Sequence, residues 1–100
     1  MKTTITNEQI RSFALRLHED EKSEATVEKY IRDVSAFSSF LRERELTKQE
    51  VIEYKKQISE NYAPASVNSM LVSINSFLDF IGFHDLRVKL LKIQRQMFVS

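Results

Sequence analysis

The side chains in this sequence that could do chemistry are few, and their spacing suits none of it well. His18-Glu19-Asp20-Glu21 gathers candidate metal ligands, and a metal-dependent hydrolase is the enzyme such a run could serve. Adjacent positions on a helix point in different directions, and no second histidine stands three or four residues from His18, so the run reads as an exposed helix end. His84 is isolated just after Gly82, where an imidazole is better placed to meet the carbonyl end of a helix than to act as a general base. Tyr30, Tyr54 and Tyr62 are the candidate nucleophiles. The first two fall on apolar stripes and the third beside a helix start, which assigns them to packing. One glycine cannot build a P-loop, a dinucleotide-binding turn or a nucleophile elbow. With no cysteine there is no disulfide framework, thiolate zinc site or cysteine nucleophile. The expectation is a chain with no catalytic residue, no metal site and no cofactor.

Binding is the chemistry that remains, and two segments stand out for it. Residues 63 to 82 carry no Lys or Arg and one acid, Asp79, yet the stretch is rich in Ser66, Asn68, Ser69, Ser73, Asn75 and Ser76. Exposed helix faces favour Glu, Lys, Gln and Arg, because Ser and Asn are poorer helix formers. Short hydroxyl and amide side chains let a helix approach a phosphate backbone or a base edge. They equally suit a central helix packed closely on several sides. The second segment is the tail, where Arg87, Lys89, Lys92 and Arg95 face one acid, Asp85. Elsewhere the charges nearly cancel, and the whole chain has a net charge of +1. That balance by itself predicts no affinity for nucleic acid or for membranes.

These segments must be positioned by helices. A chain of 100 residues with one glycine and one proline holds one domain and too few turn formers for hairpins. Ile10, Phe13, Ala14 and Leu17 recur at helical spacing behind Thr6 and Asn7, giving a helix over about residues 7 to 20. Ser23 caps a second, with the stripe Val27, Tyr30, Ile31, Val34, Phe37 and Leu41, ending near Glu45. Thr47-Lys48-Gln49-Glu50 has the form of a capping box for a short third carrying Val51, Tyr54 and Ile58. Pro64 opens a fourth, whose apolar positions run from Val67 through Met70, Leu71, Ile74, Phe77, Leu78 and Ile81 to Gly82 as the residue after its cap. The predicted core is Phe13, Leu17, Ile31, Val34, Leu41, Val51, Ile58, Leu71, Ile74 and Leu78. Residues 83 to 100 show mixed periodicities and no cap. They fit neither a helical nor a strand pattern and are expected to be held by few contacts, with mobility beyond about residue 90. No apolar run approaches the roughly 20 residues of a membrane span, and the first residues lack the apolar core of a signal peptide, so a cytoplasmic location is the default.

The order of these features resembles a known family. Ser23-Glu24-Ala25-Thr26-Val27-Glu28-Lys29-Tyr30-Ile31-Arg32-Asp33-Val34-Ser35-Ala36-Phe37 is similar to the second helix of the N-terminal core-binding, SAM-like domain of tyrosine recombinases, the phage and transposon integrases. Leu46-Thr47-Lys48-Gln49-Glu50-Val51-Ile52-Glu53-Tyr54 resembles its third helix, and the segment from Ala63 to Phe80 its fourth. Val88-Lys89-Leu90-Leu91-Lys92-Ile93-Gln94-Arg95-Gln96 is similar to the interdomain linker of integrases from Gram-positive bacteria.

The resemblance implies an all-α, compact four-helix SAM-like bundle over residues 1–82, followed by a basic linker over 83–100 toward a catalytic domain outside this chain. It implies a non-catalytic DNA-binding module, half of a clamp on duplex DNA during integration or recombination. Its partners would be DNA, the catalytic domain and neighbouring recombinase protomers, with the isolated domain monomeric. The starts of the second and fourth helices would face DNA through Thr26, Lys29, Ser66, Asn68, Ser69 and Ser73. Lys29 would neutralise a phosphate, and Asn68 or Asn75 would hydrogen-bond the backbone or read a base. Arg87, Lys89, Lys92 and Arg95 would add charge from the linker. The alternative is a helical module docking a partner protein through the fourth helix and the basic tail. Salt separates the two, because counterion release weakens phosphate binding steeply and leaves an apolar dock nearly unchanged.

Overall fold

The computed structural model describes residues 3–93. Its four helices are α1 (Asn7–Glu19), α2 (Glu24–Leu41), α3 (Lys48–Asn61) and α4 (Pro64–Phe80), followed by a single 3₁₀ turn, His84–Leu86. No strand occurs among the described residues.

Each helix starts on a local signal. Thr6 Oγ1 accepts the Gln9 N–H at 3.1 Å and Gln9 Oε1 accepts the Thr6 N–H at 2.9 Å, a reciprocal capping box. The sequence points to such a box at Thr47 instead, and there only half of it forms. Thr47 Oγ1 accepts the Glu50 N–H at 3.2 Å, while the Glu50 carboxylate takes Arg44 Nε at 2.7 Å. Ser23 Oγ caps α2 through the Thr26 N–H at 3.2 Å. Only α4 lacks a side-chain cap, since Ala63 precedes Pro64 and has nothing to offer.

The ends are as specific. α4 closes in a Schellman motif: Phe83 N–H bonds Leu78 O at 2.8 Å, Gly82 N–H bonds Asp79 O at 3.1 Å, and Gly82 takes φ +87°. α1 closes in the same way around Glu21 at φ +60°, where a glycine would be at ease. α2 stops at Arg42, φ +54° and ψ −120°, in a tight turn closed by Arg44 N–H to Leu41 O at 2.9 Å.

α4 is the central helix. It packs against α2, α3 and the 3₁₀ turn, and α1 packs on α2. The larger core cluster joins Phe37, Leu41, Val51, Tyr54 and Ile58 to Val67, Leu71, Ile74 and Leu78. A smaller one gathers Ile10, Phe13, Leu17, Val27, Val34 and Phe77, with Phe13 edge-on to Phe77 at 5.4 Å between ring centres. Every predicted core residue is buried except Ile31, which is half-buried against the smaller cluster.

The tail departs from expectation. Instead of leaving the domain on few contacts, residues 87–93 run extended along it, and Val88 is buried in the larger core cluster. Arg95 and the rest of 94–100 lie outside the described residues.

Candidate nucleic-acid interface

Lys29 and Asp33 lie one helical turn apart on α2 and therefore share a face. Asp33 also falls three residues after Tyr30 and four before Phe37, on the inward side, and only 8% of its surface is exposed. A carboxylate there needs donors, and it has two: Lys29 Nζ at 2.5 Å and the Ser73 hydroxyl at 2.7 Å, both on Oδ2. Lys29 Nζ further donates to the backbone oxygen of Ser69 at 3.2 Å and reaches Ser73 Oγ at 3.5 Å. Lys29, Ser69 and Ser73 thus come together as the sequence comparison suggests, but around Asp33. Lys29 is the cation of an internal lock between α2 and α4, not a free charge for a phosphate. Ser73, with no exposed surface, has no face to offer a ligand. Burial, and next the Asp33 charge, push the Tyr54 hydroxyl upward, so it remains protonated.

The two asparagines are engaged as well. Asn75 Nδ2 donates to Val88 O at 2.8 Å and its Oδ1 accepts the Val88 N–H at 3.0 Å. Asn68 does the same for Leu91, at 2.9 and 2.7 Å. Seven residues of helix advance about 10.5 Å and three of extended chain about 10 Å, so two asparagines seven apart clasp two tail residues three apart. From α3, Lys48 Nζ donates to the Arg87 carbonyl and Lys55 Nζ to the Lys89 carbonyl at 2.6 Å, again seven residues apart. The segment is therefore a strap between α3 and α4, antiparallel to α4. Asn68 and Asn75, expected at the DNA, here spend both ends of their amides on strap backbone. Replacing Asn75 with Ala should release Val88: its amide, slowly exchanging in the parent, should exchange fast with deuterium while core amides such as that of Leu71 stay protected. Unchanged protection of Val88 would show that the clasp does not hold the strap.

At the strap's origin Asp79 takes His84 Nδ1 at 2.5 Å and Arg87 Nη1 at 3.2 Å. The His84 hydrogen bond, aided by the Arg87 charge, holds the Asp79 carboxyl below the ordinary carboxylate range. His84 thus meets the end of α4 through the Asp79 side chain rather than through the helix carbonyls, and Arg87 is an ion-pair partner.

What remains outward is a smaller set. Ser66 is exposed in the first turn of the uncapped α4, and Thr26 is half-buried in the first turn of α2. Lys29 and Ser69, each the sixth residue of its helix, touch at 3.2 Å, so the two helix starts adjoin. Lys89 and Lys92 are exposed on the strap. Sequence reasoning missed Asp33, although its place on the Tyr30–Phe37 face was legible. It also missed Lys48 and Lys55, whose partners exist only once the tail is docked. No group of three or more metal-ligating side chains is found among the described residues, and none of their helices is long and apolar enough to cross a membrane.

A central uncapped helix, an internal lysine–aspartate lock and a basic strap characterise this four-helix domain. Residues 10–82 match the family described as phage integrase, N-terminal SAM-like domain, and the chain belongs to that family. This is the family's N-terminal helical domain, not its catalytic one. No curated protein and no solved structure matches the chain.

Proposed function

We propose that this domain binds duplex DNA as one half of a recombinase clamp, the other half being a catalytic domain that follows the strap. Family membership gives the class. The observation that carries the reading is the direction of the strap: it returns along α4 from Asn75 to Asn68, toward that helix's exposed, uncapped start, and carries Lys89 and Lys92 exposed on its way. Unpaired N–H groups at a helix start favour a phosphate, and nearby ammonium groups add to the attraction. Thr26 and Ser66 are short enough to let the backbone approach, so the contacts position the domain rather than specify sequence. The competing dock for a protein on the polar face of α4 loses support, because Asn68, Asn75 and Ser73 are already engaged.

A titration with duplex DNA at low salt tests the reading. Binding in the range of non-specific binders, roughly 10⁻⁴ to 10⁻⁶ M, and falling as salt rises, is the expected result. Absence of binding at low salt would remove it.

A further inference from the structure

We propose that α3 and the docked strap together form a second phosphate-binding strip, made of Lys48, Lys55, Lys56 and Lys89. The inference rests on the DNA-binding reading and extends it to a helix that the sequence comparison leaves without a role.

The four lysines line one shallow groove whose other walls are Ile52, Ser59 and Val88, with no carboxylate among the lining residues. None of the four pairs with an acid among the described residues, whereas Lys29, Arg16, Arg44 and Arg87 all do. An ammonium has three donors. Lys48 and Lys55 each give one to a strap carbonyl and keep the others for an outside acceptor. Those bonds place the backbone of Lys89 against Lys55, so the strap's charge joins the helix's charge at a fixed spacing. Lys89 joins the strip only while Asn68 and Asn75 hold the strap, which makes the clasp a positioning device for binding. A row of cations that continues through Lys92 toward the start of α4 suits a sugar-phosphate strand, which presents charge along a line.

The test uses the full 100-residue chain, a mixed-sequence duplex and binding measured across a salt series. Lys55→Gln/Lys56→Gln should weaken binding and reduce the slope of log K against log salt by about 1.8, at about 0.9 per phosphate lost. Lys89→Gln, exposed and harmless to the fold, should reduce it by about 0.9. Asn68→Ala/Asn75→Ala should reproduce the Lys89→Gln loss with every lysine intact. If the parent binds with its usual salt slope and the three variants match it, the strip is overturned while the DNA reading stands. If the parent does not bind duplex DNA, both fall. Binding of a poly-glutamate peptide through these lysines with no duplex binding would also overturn the proposal, in favour of a protein partner.

Discussion

Replacing Lys29 with alanine is expected to destabilise the domain by about 2 to 3 kcal/mol in chemical denaturation. Removing one partner of a buried ion pair typically costs about 3 to 5 kcal/mol, because the other charge is left without compensation. Lys29 is one third exposed at its side chain, so water recovers part of that loss. Asp33 would keep only the Ser73 hydroxyl as donor, at 2.7 Å, in a site almost closed to water. Substituting both, as Lys29→Met/Asp33→Leu, should restore much of the stability, since the cost lies in the stranded carboxylate rather than in the absence of a salt bridge. A Lys29→Ala protein as stable as the parent but weaker on DNA would return Lys29 to the binding surface and contradict the lock.

Ile74→Ala carries a comparable or larger expected loss, about 2 to 5 kcal/mol. Ile74 has no exposed surface and sits on the central helix within the larger cluster. Truncation would open a cavity that the neighbouring Val51, Leu71 and Leu78 cannot close without moving. Leu15→Ala is the control: Leu15 is 63% exposed on α1, and its loss should change stability by less than about 0.5 kcal/mol. Equal effects at the two positions would mean that the core is misplaced.

The helices were legible because each one carries its own signals. Thr6, Ser23 and Thr47 begin three of them, Pro64 begins the fourth, and Gly82 ends it at the positive φ that glycine accepts readily. The apolar stripes named the core in the same way, because period 3.6 and burial are one fact seen twice. The candidate site was less legible, for a different reason. Both explanations of the polar face of α4 were open at the level of composition. The structure shows the packing one at work: Ser73 is buried against Asp33, and Asn68 and Asn75 meet the strap. What hid this was the tail, whose mixed pattern is that of an extended segment covered on one side by polar side chains. Val88 is the single inward residue of that segment to be fully captured, too little for any periodicity to reveal. Long-range pairs such as Asn68 with Leu91, or Lys55 with Lys89, are set by tertiary register, and no local window of sequence contains both members.

On the proposed function, DNA meets the end of the domain where the starts of α2 and α4 adjoin and toward which the strap runs with Lys89 and Lys92 exposed. Chemical-shift mapping of the labelled 100-residue chain with duplex DNA at low salt measures this most directly. The predicted result is perturbation of the Thr26, Ala65, Ser66, Lys89 and Lys92 amides, shrinking together as salt is raised, while Lys29 and Ser73 respond only weakly because their side chains stay in the lock. Perturbation confined to α1 and the last turns of α2, with Thr26, Ser66 and Lys89 unmoved, would contradict it.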